Sequence, residues 1–414
     1  MAESNHPFSY PEYRLFWCAR LSAMLAHSAT VISLGWLVYD VARQTMDVRE
    51  AALRLGLIGL AQFLPVLLLS PVTGIVADRF DRRMVVRISL LLQACLTAII
   101  VWLVYQGQAS LEILFVLASI LAGIRAFFMP AMSALVSELV PAAVLPKAIA
   151  LNSVAGEIGG ITGPAVGGFA LGYSQWGAFA CGCMLIMVAL LCMLFIGRSK
   201  RKVIRSDIRP MAMMIDGFRY VRTNRLLLGA ISLDLFSVLL GGVTAMLPVF
   251  ARDILFVGPE GLGLMRSAPS IGAVATAVAL SIYPLRNNVG AKMLGAVSIF
   301  GFAVIGFGLS TLLPVSLICL TILGAADMIS VYVRQTLVQV TTPDAMRGRV
   351  GAVSLLFISG SNELGELESG LLAAALGPVA AVVAGGICAV VVAGLWTKLF
   401  PELLQAKTFD LNTD

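Results

Sequence analysis

Charge is what this chain has least of. Only 13% of its 414 residues are Asp, Glu, Lys or Arg, while 59% are apolar, against about 25% and 45 to 50% in soluble domains. Such a chain cannot cover itself with a water-facing surface, so it reads as an integral membrane protein with room for about twelve spans of 20 to 25 residues. Histidine is nearly missing as well: His6 lies in the N-terminal tail and His27 inside the first apolar run. His27 has the chemistry to carry a proton or bind a metal, but with no second imidazole near it a metal site is not expected. The seven cysteines (Cys18, Cys95, Cys181, Cys183, Cys192, Cys319 and Cys388) all fall in apolar runs, which excludes a disulfide framework and makes them packing residues. Cys181 and Cys183, with Met184 and Met187 beside them, have soft-ligand chemistry, yet packing is the expectation there too. No phosphate-binding glycine loop, framed serine nucleophile or zinc spacing is present, so no enzyme, ATP motor or cofactor is expected. A cleavable leader is not expected either: residues 1–11 are polar and the apolar run after them far exceeds a 7 to 15 residue signal core.

What the chain does have is apolar length. Spans are expected at Leu15–Tyr39, Leu55–Val76, Met84–Tyr105, Leu111–Leu135, Ala148–Leu171 and Trp176–Ile196. A second set follows at Leu226–Ala251, Gly261–Ile282, Ala291–Leu312, Val315–Val338, Val350–Leu376 and Val379–Phe400. The polar stretch 198–225, which carries RSKRKVIRSD, falls at the midpoint and reads as a cytoplasmic linker between a first half, 1–197, and a second, 226–414. Sliding the halves by about 202 residues lays Pro141 on Pro343 and Lys147 on Arg349, an internal repeat in position and polarity.

The net charge of +6 would suggest nucleic acid in a soluble protein. Here it marks topology, because basic residues crowd alternate loops. About twenty-two Lys and Arg fall on the side assigned to the cytoplasm with both termini, five outside (Arg43, Arg49, Arg54, Arg252, Arg266), and Arg125 and Arg334 at membrane depth. The basic cluster of the linker also suits anionic lipid. A short charge-dense stretch between two spans is GIVADRFDRR, Gly74 to Arg83, expected as a short cytoplasmic loop.

That loop resembles the one between the second and third spans of the major facilitator superfamily, with Gly74, Asp78, Arg79, Arg82 and Arg83 in matching places and Asp81 where glycine is commoner. FLPVLLLSPVTGIVADRFDRR, IALNSVAGEIGGITGPAVGG, LPVFARDIL and TPDAMRGRVGAVSLLFISGSNELGELESG are similar to the branch of enterobactin-type siderophore exporters and macrolide-type drug exporters. The resemblance covers essentially the whole chain. It implies an all-α protein of twelve transmembrane helices in two pseudo-symmetric six-helix bundles. It also implies a monomer in the inner membrane that exports a small organic compound in exchange for protons, with lipids and no nucleic acid as its other partners. A metal exporter and a non-transporting membrane sensor are the alternatives.

In that frame Asp78 is expected to cap a helix beginning near Arg347, closing the cytoplasmic entrance, while the corresponding PLRNNVGAK of the second half lacks the acid. Gly159, Gly163, Pro164, Gly167 and Gly168 make a small-residue face with a helix breaker inside, matching the antiporter motif of exporters and suited to close packing and bending. Charges at membrane depth cost about 2.5 to 3.5 kcal/mol each on insertion scales, so they face a cavity or a partner. Arg125 and Asp327 are pseudo-symmetric under the repeat. They either share a central cavity or pair locally, Arg125 with Glu157 and Asp327 with Arg334. Asn362, Glu363, Glu366 and Glu368 crowd the eleventh span, and Asp40 stands near the outer end of the first. The proton-coupling carboxylate is expected among Glu157, Asp234, Asp327, Glu363 and Glu366.

Overall fold

The computed structural model describes residues 6–197 and 210–409. In hydrocarbon every backbone N–H and C=O must be bonded within the protein, and an uninterrupted apolar run does this most simply as a helix. The chain forms α1 (Pro11–Ala42), α2 (Val48–Arg79), α3 (Arg82–Tyr105), α4 (Leu111–Leu139), α5 (Leu145–Tyr173), α6 (Gln175–Leu194), α7 (Pro210–Thr223) and α8 (Arg225–Leu240). After α9 (Leu247–Val249) come α10 (Gly258–Ile282), α11 (Val289–Leu309), α12 (Leu313–Thr341), α13 (Asp344–Leu376), α14 (Pro378–Leu399) and α15 (Pro401–Gln405). Among the described residues ten segments are long and apolar enough to cross a membrane, Arg225–Ile254 counting as one. α5 and α13, of 29 and 33 residues, are as long but diluted by glycine, serine and acid. With them the architecture is all-α with twelve spans.

The seventh span is broken. α8 ends at Leu240 with Gly241 as its C-cap, and the chain continues through a 3-10 turn (Val243–Met246), α9 and a π-helical turn (Phe250–Ile254). Side-chain atoms at Gly242 would run into Ser369 Oγ and the Gly365 carbonyl of α13, so this irregular backbone is pressed against another helix rather than left to lipid.

The chain divides into two compact units: Met1–Val41, Ala61–Asp207 and Gly258–Ser267 form the first, and Ala42–Leu60, Ile208–Val257 and Ala268–Asp414 the second. The core of the first gathers Tyr13 and Phe16 of α1, Val86 and Leu90 of α3, Phe128, Met132 and Leu135 of α4 and Met193 of α6. Its aromatic rings keep their polar ends bonded: Tyr13 Oη donates to the Ala148 carbonyl at 2.8 Å and Trp17 Nε1 to that of Leu151 at 2.9 Å. In the second unit Leu233 of α8, Met293 and Val297 of α11, Val333 and Leu337 of α12 and Trp396 of α14 do the same, with Trp396 Nε1 donating to the Gly229 carbonyl at 3.1 Å.

The stretch expected as a loop from Gly74 to Arg83 is mostly helix. α2 runs to Arg79, α3 starts at Arg82, and Phe80 and Asp81 alone make the turn. A helix can carry Asp and Arg once its end reaches water, because the backbone bonds do not depend on the medium. Asp81, where the resemblance has glycine, is the N-cap of α3: Oδ1 accepts from the backbone N–H of Arg83 at 2.9 Å. Of the three arginines that follow, Arg82 and Arg87 fasten the unit. Arg82 pairs with Glu138 at 3.1 Å, Arg83 is 2% exposed, and Arg87 donates to the carbonyls of Met193 and Ile196 at 3.0 and 2.8 Å, closing the C-terminus of α6. The side chains of Gly74, Asp78 and Arg79 lie outside the described residues, and so does the expected Asp78 latch. The described part of the expected linker is likewise helical: α7 holds to the second unit through Asp216 to Arg349 at 2.8 Å and Tyr220 Oη to the Thr341 carbonyl at 3.0 Å.

The cap can be measured on its own. Asp81→Ala is expected to lower stability by about 1 kcal/mol, whereas Asp81→Gly, the residue of the resemblance, costs only a few tenths. Thermal unfolding of the purified protein in detergent checks the order; equal losses in both variants would take the cap out of the account.

Candidate functional site

Two groups of membrane-depth charge stand out, one in each unit. In the first the organising element is α5. Its glycines make two faces. A Cβ on Gly159 would stand 2.5 Å from Met24 Cβ, one on Gly163 2.6 Å from Ser28 Cβ, and one on Gly167 2.8 Å from the Ala29 Cα, so α1 lies directly on that face. A Cβ on Gly168 would be 2.6 Å from the Gly263 Cα, and one on Gly263 2.9 Å from the Pro164 carbonyl, so α10 lies on the other. Ser267 Oγ closes this second contact on the Ile161 carbonyl at 2.7 Å. Gly156 and Gly160 have open space instead. The expected small-residue face is therefore a double one, and α5 is a thin spacer between α1 and α10.

The basic residues follow from that arrangement. His27 of α1, Arg125 of α4 and Arg266 of α10 are each half-buried, and His27 lies within electrostatic reach of both arginines. Arg266, expected outside the membrane, stands eight residues into α10 and next to Ser267. Arg20, counted with the basic residues of the cytoplasmic side, is 8% exposed, with Nη1 on Met129 Sδ at 3.9 Å. A charge within an apolar run was the available signal. Glu157 is exposed and forms no ion pair with Arg125 among the described residues. Asp40 accepts from Gln175 Nε2 at 2.9 Å.

The second unit holds the acids. Asp234 of α8, 5% exposed, faces α12, where Arg334 Nε stands 3.4 Å from its Oδ2 and Ser330 Oγ 3.4 Å from its Oδ1. Arg334 is 4% exposed. Helical side chains lean toward the N-terminus, so Arg334 reaches back along α12 toward Ser330 and, one turn further, Asp327. The ion pair of Arg334 is thus made with Asp234, not with Asp327, its partner in the local alternative. Asp327 is half-buried and within electrostatic reach of both, giving two carboxylates to one guanidinium beside the apolar side chains of Leu233 and Val333. On α13, Glu366 Oε2 lies 2.8 Å from where a Cβ on Gly59 would be, and one on Gly56 would stand 2.8 Å from the Gly370 Cα, a close crossing of α2 and α13. Glu363 and Glu368 are half-buried on the same helix, and Asn362 is exposed.

The sequence of residues 2–413 matches the family described as transmembrane secretion effector. The chain belongs to this family of major facilitator transporters. Proteins similar to this chain include an MFS-type transporter, YfiS, of Bacillus subtilis, 25% identical over 94% of this chain and 95% of its own length, and the multidrug efflux pump Tap of Mycolicibacterium fortuitum, 26% identical over 87% and 88%. The enterobactin exporter EntS of Citrobacter koseri is 26% identical over 94% and 96%. Solved structures share the fold. A bacterial homolog of the human lysosomal transporter Spinster superposes with a TM-score of 0.71 at 16% identity, covering 94% of this chain and 98% of that one. A D-xylose–proton symporter superposes with 0.72 at 17%, covering 96% and 100%. The major facilitator fold and membership of a family with efflux-type relatives are thereby established.

The double face of α5 sets the expectation for its glycines. Gly167→Ala forces a methyl into Ala29 and Ile32 and is expected to cost about 1 to 3 kcal/mol, while Gly160→Ala meets open space and should be neutral or slightly stabilising. Unfolding temperatures of the two purified variants decide it; matching losses would mean that α1 does not rest on Gly167.

Proposed function

We propose that the protein is a secondary active exporter that moves a small organic compound, a drug-like amphiphile or a siderophore, outward in exchange for protons by rocker-switch alternating access. It acts as a monomer in the inner membrane, with both termini in the cytoplasm. The observation that carries the proton part is the pair of carboxylates at Arg334. Asp234 is held by the guanidinium and by Ser330, so it serves as the fixed counter-ion. Asp327 stands one turn further along α12 as the surplus acid. With Asp327 ionised the group has one negative charge too many for its apolar surroundings, and a proton removes that excess. Any change that brings water or a cation to Asp327 releases the proton again, which ties proton traffic to the conformational cycle. A proton moving down a membrane potential supplies about 2.3 kcal/mol per 100 mV. The direction rests on relatives named as an enterobactin exporter and a multidrug efflux pump. Glu363 and Glu366, on a helix that crosses α2 at Gly56 and Gly59, are placed to feel the same cycle.

The two aspartates are expected to fail differently. Asp234→Asn leaves a buried arginine without its counter-charge and should cost about 3 to 5 kcal/mol of stability. Asp327→Asn should keep the fold but lose transport driven by a pH gradient, measured in proteoliposomes with enterobactin and ethidium as trial cargoes and a fluorescent pH indicator inside. Full pH-gradient dependence in Asp327→Asn, Glu363→Gln and Glu366→Gln alike would remove these carboxylates as the coupling site, and transport by the unaltered protein that is indifferent to a pH gradient would overturn proton antiport.

A further inference from the structure

We propose that Cys18 of α1 and Cys192 of α6 form an oxidisable dithiol in the first unit, a modification site at which a two-electron oxidant of the diazene or quinone class joins the two helices through a disulfide.

The geometry begins with α6, which runs antiparallel to α1 in the first unit. A Cβ on Gly182 would stand 2.9 Å from Thr30 Oγ1 and 3.8 Å from the Ala26 carbonyl, and one on Gly197 3.2 Å from Glu12 Oε1. Between those contacts each residue gained along α6 is one residue lost along α1. Ten residues beyond Gly182 is Cys192, and ten residues before Ser28, midway between Ala26 and Thr30, is Cys18. The seam therefore brings both thiols to one level, and the Cys192 thiol lies within hydrogen-bond reach of the Cys18 thiol. They meet on an open flank: Cys18 is exposed and Cys192 half-buried.

Their depth suits the reaction. Cys18 stands seven residues into α1, about 10 Å from its start, and one turn after the exposed Arg14. Cys192 lies two residues before the end of α6 at Leu194, next in the chain to Met193, whose carbonyl accepts from Arg87. The pair is at the margin of the hydrocarbon, where water takes up the thiol protons and an oxidant dissolved in the membrane can approach. Thiolate is the attacking form of the group, so both conditions matter.

α6 also supplies a contrast. Cys183, nine residues before Cys192 and so on the opposite side of the helix, faces α3. Its thiol donates to the Ala94 carbonyl at 3.7 Å, with Cys95 within electrostatic reach. This second pair lies mid-span in both helices, away from water, and one of its thiols is already committed to a carbonyl. Of the two cross-helix pairs, the one at the margin is the one placed to react.

In the step, one thiolate adds to the N=N bond of a diazene, or to a quinone, and the second attacks that sulfur and displaces the reduced carrier. One S–S bond forms and two S–H bonds break. The two electrons and two protons leave on the oxidant, as a hydrazine or a hydroquinone. The product fastens the start of α1 to the end of α6, beside the place where Arg87 holds α3 to α6. A corner held by hydrogen bonds thereby gains a covalent link.

The experiment uses the purified full chain in detergent with diamide, a diazene, as the oxidant. Remaining thiols are blocked with N-ethylmaleimide and the protein is digested without reductant. Mass spectrometry is expected to find the Cys18 and Cys192 peptides joined, Cys95 and Cys183 free, and the link gone after dithiothreitol. Cys18→Ser should slow the loss of the free Cys192 thiol about tenfold or more, because the partner held alongside it is gone. A second measurement needs no variant and no oxidation. Phenylarsine oxide bridges two adjacent thiols with release of water and should shield Cys18 and Cys192 together from the maleimide. Absence of the joined peptide overturns the dithiol, as does labelling of both thiols in the presence of the arsenical. Cys18 joined to Cys18 of a second copy, or Cys95 joined to Cys183 before Cys18 to Cys192, overturns it equally. The test reads thiol chemistry alone and its outcome is independent of the exporter reading.

Discussion

Helices in a lipid bilayer are not driven together by the hydrophobic effect, because acyl chains are as apolar as leucine; they are held by how closely their surfaces fit. In this chain that closeness comes from glycine. α5 lies on α1 through Gly159, Gly163 and Gly167 and on α10 through Gly168 and Gly263, and α2 crosses α13 where Gly56 meets Gly370. α11 and α14 follow the same rule: a Cβ on Gly301 would stand 2.7 Å from the Gly386 carbonyl and one on Gly386 2.7 Å from that of Gly301. The positions of the functional side chains depend on these contacts. Arg266 reaches the level of His27 because nothing larger than hydrogen separates α5 from its neighbours.

The charges fall into two kinds of environment. Those at helix ends are structural fasteners with ordinary partners, as with Asp81 on α3, Arg82 with Glu138, and Arg43 with Asp253 at 3.2 Å. Apart from the exposed Glu157, those at depth collect by sign: arginine and histidine in the first unit, carboxylates with one arginine in the second. A buried ion pair seldom adds stability relative to apolar side chains of the same size. Under the proposed proton antiport, Asp234 and Arg334 serve as a polarised environment and not as a brace.

The spans were legible in the sequence, since runs of about twenty apolar residues have one stable form in a bilayer. Their ends were not. GIVADRFDRR reads as a loop because Asp and Arg need water, but a helix that projects beyond the membrane meets that need without unwinding, and the turn shrinks to Phe80 and Asp81. The midpoint stretch was misleading in the same way, for its second part is α7. At the candidate site the residue types were legible and the pairings were not. Spacing on one helix suggests Asp327 for Arg334; the observed partner, Asp234, is 100 residues away in the chain and comes from another helix. Arg125 and Arg266 needed tertiary contacts before they could be connected with His27, because no periodicity relates residues on three different helices.

Arg87 carries a consequence for how the protein is made. Its guanidinium holds α3 to the last carbonyls of α6 by bonds that span 106 and 109 residues of sequence. When α2 and α3 first enter the membrane those carbonyls have not been synthesised. Until the ribosome completes the sixth span, the arginine has only water and lipid headgroups to bond, and the early hairpin is provisional. The contact between α3 and the end of α6 is thereby one that forms only after the sixth span has been made.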